Sequence, residues 1–278
     1  MGEVWEALQT QHHEEVALKI LSATAARRVG MKEAFRREVR AVAGLEHLGI
    51  VSVLDFGEVG RESAEASDGA LVEGSPWLAM ELARGGTLLP WCGNLAWEEI
   101  RSVLLQVLQA LGHAHARGVV HRDLKPDNVL FRKSGSTQSE ICLTDFGLAH
   151  AHGAEPDEEL EGGWLGTPSF MAPEQFTRNS RAVGPWTDLY GVGCLAWALA
   201  TGSAPYAALK EPEAIRAAQR RGRLPPLQSG TDLPAGFSTW VRRLLEREPG
   251  KRYRWAVDAS RGLMTIRPRR PAPGKTPR

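Results

Sequence analysis

The chain has 278 residues, enough for one large domain or a two-lobed one, so the size of the buried core limits nothing. With 34 Lys and Arg against 33 Asp and Glu the net charge is +1, which excludes a surface built to condense on nucleic acid. The three cysteines, Cys92, Cys142 and Cys194, are scattered and odd in number, which excludes a disulfide framework or zinc site and predicts core thiols in a reducing compartment. The apolar run Leu189 to Ala200 falls short of the roughly 20 residues that cross a bilayer. No membrane segment or signal peptide is expected, and the predicted setting is cytoplasmic.

Along the chain, Val16-Ala17-Leu18-Lys19 alternates apolar and polar positions as a strand does. Met31 to Gly44 reads as a helix that buries Phe35, Val39 and Val42, with Arg36, Arg37, Glu38 and Arg40 around them. Ile50 to Glu58 and Trp77 to Leu82 are strand-like, and the polar stretch Gly60 to Ser75 between them predicts a loop. Arg84-Gly85-Gly86-Thr87 reads as a turn. From Trp97 to His115, Ile100, Val103, Leu104, Val107, Leu108 and Leu111 recur at helical spacing. His113 and His115 lack a matching third ligand and are expected to be ordinary helix histidines rather than metal ligands.

The stretch His121-Arg122-Asp123-Leu124-Lys125-Pro126-Asp127-Asn128 carries the chemistry. Asp123 is placed to take a proton from an attacking hydroxyl, Lys125 to neutralise charge on a phosphoryl group, and Asn128 to hold a metal through its carbonyl oxygen. Pro126 stiffens the turn between them. Val129-Leu130-Phe131 and Ile141-Cys142-Leu143 predict a hairpin around Gly135-Ser136. Thr144-Asp145-Phe146-Gly147 follows at once, then an acidic segment with no Ser, Thr or Tyr between Ala149 and Trp164, and then Gly166-Thr167-Pro168-Ser169-Phe170-Met171-Ala172-Pro173-Glu174. Leu189 to Leu199 is apolar on all sides and predicts a central helix. Glu213 to Arg221, Phe237 to Arg247 and Trp255 to Met264 are further predicted helices. The Pro-rich basic stretch from 265 to 278 reads as a disordered tail.

These motifs, in this order, resemble the catalytic domain of eukaryotic-type Ser/Thr protein kinases, and Gly166 to Gln175 is most like the bacterial members. The resemblance implies an α+β, bilobal fold: a small β-rich lobe with one long helix and the hinge in residues 1–83, and a larger, mainly helical lobe in 84–264. It implies transfer of the ATP γ-phosphoryl group to Ser or Thr hydroxyls of protein substrates, with Mg²⁺, or Mn²⁺ in its place, as cofactor. Catalysis falls to Asp123, Lys125, Asn128 and Lys19, and the metal to Asn128 and Asp145. Lys19, paired with Glu38, would face the nucleotide phosphates. Gly2, Val4, Ala17, Met80, Glu81, Ala83, Thr87 and Leu130 would line the rest of the ATP site, with Met80 behind the adenine and Leu130 beneath it. Thr167, Asp127 and Phe170 would dock the substrate. His121, Arg122, Phe146, Glu174, Asp188 and Arg252 take structural roles: Glu174 pairs with Arg252, and Asp188 ties down the catalytic-loop backbone.

Two features depart from the family pattern. Gly2 would be the last glycine of a phosphate-covering G-x-G-x-x-G loop whose first half and preceding strand are not in the sequence; the expectation is a start lying further upstream, with a sheet edge exposed meanwhile. The alternative is a pseudokinase, a binding module with little turnover. In the acidic segment, either one of Glu155, Asp157, Glu158, Glu159 and Glu161 takes the place of a loop phosphate beside Arg122, or the segment is simply solvated.

Overall fold

The computed structural model describes residues 3–10, 12–21, 31–133, 140–146, 168–177, 180–209 and 211–268. Its small lobe begins with β1 (Glu3–Gln9) and β2 (Glu14–Ile20), followed by α1 (Met31–Ala43), β3 (Val53–Glu58), α2 (Arg61–Ala66) and β4 (Pro76–Glu81). The four strands form an antiparallel sheet in the order β1-β2-β4-β3. That order leaves β1 at an edge, where Val4, Trp5 and Leu8 are exposed. Helix α1 covers one face of the sheet because Phe35 and Val39, one turn apart, are both buried; with Leu21, Val51, Leu78, Met80 and Cys142 they form the small lobe's core.

Two sequence expectations change here. The strand predicted from Ile50 starts at Val53, because residues 50 and 51 pair elsewhere: Ile50 forms a parallel bridge with Leu143, and Val51 N–H donates to the Leu143 carbonyl at 2.9 Å. The stretch Gly60 to Ser75 contains helix α2 instead of being a loop throughout. Arg61 pairs with Glu65 one turn on, at 2.8 Å. The Ser67 hydroxyl then closes the turn, donating to the Ala64 carbonyl and accepting from Leu71 N–H.

In the large lobe, α3 (Trp97–Ala116) is followed by the hairpin of β5 (Val129–Phe131) and β6 (Ile141–Leu143), then by α4 (Pro185–Thr201), α5 (Pro212–Arg221), α6 (Ala235–Leu244) and α7 (Ala256–Met264). The Glu99 carboxylate accepts Ala96 N–H at 2.7 Å and so satisfies one open donor at the start of α3. Helix α4 is buried from Thr187 to Ala200 and lies at the centre, against α3, α6 and α7. Gly193 permits this packing, since a Cβ there would lie 2.9 Å from the Leu244 Cβ and from Leu245. Helix α6 stops three residues short of the predicted Arg247, where the carbonyls of Glu246 and Arg247 instead accept hydrogen bonds from the Arg252 guanidinium.

After β4 the chain runs alongside β5 and joins the lobes. Gly85 N–H donates to the Phe131 carbonyl at 2.8 Å, Leu88 N–H to Val129 at 2.8 Å, and Thr87 bridges Leu130. Cys142 and Cys194 are buried free thiols and Cys92 is half-buried; burial pushes the Cys142 and Cys92 pKa values up to about 11, as suits inert packing groups. No helix among the described residues is long and apolar enough to cross a membrane.

Candidate active site

The loop between α3 and β5 is held from beneath by a single carboxylate. Asp188, in the first turn of α4 and 1% exposed, accepts His121 N–H at 2.8 Å and Arg122 N–H at 2.7 Å. Its Oδ2 also lies 2.7 Å from His115 Nε2 on α3. Burial works to raise the Asp188 pKa, but the His115 hydrogen bond and the charges and N–H groups around it prevail and hold it below the ordinary carboxylate value. These bonds fix Arg122 at φ +67°, a left-handed conformation costing a non-glycine residue roughly 1–3 kcal/mol. His121 is fully buried and its Nδ1 accepts Asp123 N–H at 3.3 Å, while burial lowers its pKa and keeps the ring neutral.

Asp123 is oriented through one of its oxygens. Oδ2 accepts from Asn128 Nδ2 at 3.0 Å and lies 3.0 Å from Lys125 Nζ. Asn128, 5% exposed in the turn Pro126–Asn128, also donates Nδ2 to the Asp123 carbonyl at 2.7 Å. Both bonds use the amide nitrogen, so the Asn128 carbonyl oxygen is the atom left to serve a cation. Asp145 sits across the cleft at φ +62° with its Oδ1 2.6 Å from Lys19 Nζ. An amide oxygen and a carboxylate suit a hard divalent ion that takes its remaining ligands from phosphates and water. Among the described residues no group of three or more His, Cys, Asp or Glu side chains gathers to hold a metal alone.

One implied contact is replaced. The structure records Lys19 against Asp145, and Glu38 of α1 has its Oε1 3.8 Å from Arg122 Nη1. Lys19 extends from β2, and Arg122 occupies the left-handed position just before Asp123. Phe146 is buried, its ring centroid 4.5 Å from that of His121. Beside it an apolar cavity of about 10 Å³, lined by Val39, Val51, Leu78, Met80 and Phe146 among others, has room for about one water.

Ala17, Ala83 and Leu130 pack against the small lobe's core from the cleft side, with Met80 buried behind them. Val4 pairs with Lys19 across β1 and β2 and is 61% exposed. Thr87 lies next to Leu130. The Glu81 carboxylate is engaged by Arg132, whose guanidinium also donates to the carbonyls of Leu48 at 2.6 and 3.0 Å and Ile50 at 3.2 Å. Asp127 is exposed, and Phe170 is half-buried against the large lobe's core. Glu174 and Arg252 form a buried bidentate pair at 2.7 and 2.9 Å. Gly2, Thr167 and the acidic segment lie outside the described residues, as does the tail from residue 269.

His115 is a hydrogen-bonded helix histidine, as expected, but sequence reasoning did not see its partner Asp188, and it passed over Arg132 altogether. The signal for His115 was present: it falls one turn after Leu111 on the inward face of α3. Nothing local marked Arg132, whose partners are more than 30 residues distant in sequence.

The chain matches the protein kinase domain family over residues 1–257. It is 33% identical over 282 residues to the serine/threonine-protein kinase PknA of Mycobacterium tuberculosis, covering 100% of this chain and 61% of that protein. It is 34% identical over 254 residues to Pkn1 of Myxococcus xanthus, covering 91% and 34%, and 29% identical over 269 residues to PknB of Mycobacterium leprae, covering 96% and 41%. The chain thus spans about three fifths or less of the length of each of these relatives.

Proposed function

Since the chain belongs to the protein kinase domain family, we propose that it transfers the γ-phosphoryl group of ATP to Ser and Thr hydroxyls of protein substrates. The observation that carries this reading is the pairing of Lys19 with Asp145 at 2.6 Å and of Asp123 with Lys125 and Asn128 at 3.0 Å, the two segments being tied together by Thr144 N–H, which donates to the Asn128 main-chain carbonyl at 3.0 Å. In the proposed step the substrate hydroxyl oxygen attacks the γ-phosphorus in line, its proton passes to the Asp123 carboxylate, and the bond from the γ-phosphorus to the bridging oxygen breaks to release ADP. Lys125 holds the Asp123 carboxylate in place and lies where it can neutralise charge on the transferring group. Lys19 serves the phosphates from the sheet side.

Asn128 and Asp145 would hold Mg²⁺ or Mn²⁺, which supplies charge neutralisation on the β and γ phosphates. Adenine would pair with the main chain at Glu81 and Ala83, above Leu130 and in front of Met80, with Thr87 towards the ribose. Thr167, Asp127 and Phe170 would meet the protein substrate. The lobes divide after Ala83, and the use of ATP supports a cytoplasmic setting. The named relatives are all serine/threonine-protein kinases, which favours turnover over a binding-only role.

Incubating the purified protein with labelled ATP, Mg²⁺ and a generic Ser/Thr-containing acceptor tests the reading, with Asp123→Asn as control. Label well above that control is expected; label equal to it rejects the kinase reading for this chain.

A further inference from the structure

Two glutamines outside the catalytic set connect the substrate-side segment to the peptide group of Asp123. Gln219, on α5 and 2% exposed, donates its Nε2 to the Met171 carbonyl at 2.9 Å. The N–H at the other end of that same peptide bond, on Ala172, donates to Gln175 Oε1 at 2.8 Å. Gln175 Nε2 in turn donates to the Arg122 carbonyl at 2.7 Å. The N–H at the far end of this second peptide bond belongs to Asp123 and donates to His121 Nδ1 at 3.3 Å.

Every link points the same way: side-chain amide, peptide, side-chain amide, peptide, imidazole. Dipoles aligned head to tail polarise one another, so each bond strengthens the next. The chain also completes the hold on Arg122. Its N–H is fixed by Asp188 and its carbonyl by Gln175, so both sides of the left-handed residue before the proposed base are clamped by side chains.

We propose that Gln175 and Gln219 are positioning residues that act in series, coupling the placement of residues 168–176 and α5 to the orientation of Asp123. The inference rests on the kinase reading for its kinetic consequence, but not for the relay itself. A relay in series has a property that ordinary packing lacks: once it is cut near the base, a cut further out adds nothing.

The test uses Gln175→Met, Gln219→Met and the double variant. In ¹⁵N-labelled protein the Asp123 amide proton resonance should move in Gln219→Met, although among the described residues the hydrogen-bonded route from the altered side chain runs through two peptides and Gln175. The double variant should show the resonance position of Gln175→Met. In kinase assays kcat should fall about tenfold in Gln175→Met with the KM for ATP unchanged, and the double variant should be no slower. An Asp123 resonance unmoved by Gln219→Met, or losses in kcat that multiply in the double variant, would overturn the proposal. If Gln175→Met does not fold, the resonance in Gln219→Met decides alone. A wild-type protein without turnover refutes the kinase reading and leaves the resonance measurement to judge the relay.

Discussion

Replacing Arg252 with methionine should be among the most damaging single changes in the large lobe. Arg252 is 3% exposed, and its guanidinium holds Glu174 through two bonds while also donating to the carbonyls of Trp186, Glu246 and Arg247. Arg252→Met keeps most of the volume but strands a carboxylate whose side chain is 6% exposed. Breaking a buried pair from one side costs about 3–5 kcal/mol, a large share of the roughly 5–15 kcal/mol that holds a domain together. For a chain of this size that lowers Tm by about 10 °C. Adding Glu174→Gln removes the stranded charge and leaves an oxygen for the Thr187 hydroxyl, which now donates to Glu174 at 2.9 Å. The double variant should therefore regain more than half of the loss. Urea unfolding of the three proteins measures this; a single variant within about 1 kcal/mol of wild type, or a double variant weaker than the single, would refute the reasoning.

Arg132→Ala removes donors from two carbonyls and the partner of Glu81, and should cost about 2 kcal/mol in the same assay while raising the KM for ATP, because the segment that would meet adenine loses its anchor. Below neutrality the buried His121 should weaken the fold. Its folded pKa is lowered, so its contribution is complete above the ordinary value of 6.5 and is lost as pH falls from there through the lowered folded value. Asp188, also lowered, contributes fully above the ordinary carboxylate value and loses that contribution only in stronger acid; Tm measured against pH should thus decline in two stages, and a flat profile below pH 6.5 would count against a neutral His121. Gly193→Val forces side-chain carbons into Leu244 and Leu245 and should cost about 1–3 kcal/mol or more of stability through overpacking, read as a lower Tm; an unchanged Tm would mean that α6 shifts freely on α4.

What could be read from the sequence was what depends on neighbours along the chain. The repeat of Phe35 and Val39 and the apolar face from Ile100 to Leu111 each marked a helix because burial follows a helical period, and the unbroken apolar run after Asp188 marked one by its length, too long for a strand. The tie from Asp188 to the catalytic-loop backbone and the pair Glu174–Arg252 were reachable only through family resemblance, since 66 and 78 residues separate the partners. Choices among nearby opposite charges were not legible. Lys19, Glu38, Arg122 and Asp145 allow more than one pairing, and only the folded arrangement puts Lys19 at 2.6 Å from Asp145 and Arg122 at 3.8 Å from Glu38. The short helix at Arg61–Ala66 was missed because it buries nothing and so leaves no periodic trace.

Helix α4 has a consequence for how the protein is made. Its buried residues from Thr187 to Ala200 need α6 and α7 to cover them, and those helices span residues 235–264. During synthesis the ribosome therefore delivers a greasy, unsheltered rod dozens of residues before its lid, so the large lobe closes late and the nascent chain is an attractive client for chaperones in that interval. Fragments ending before residue 235 should accumulate as aggregates, whereas those reaching 268 have every described part of that cover.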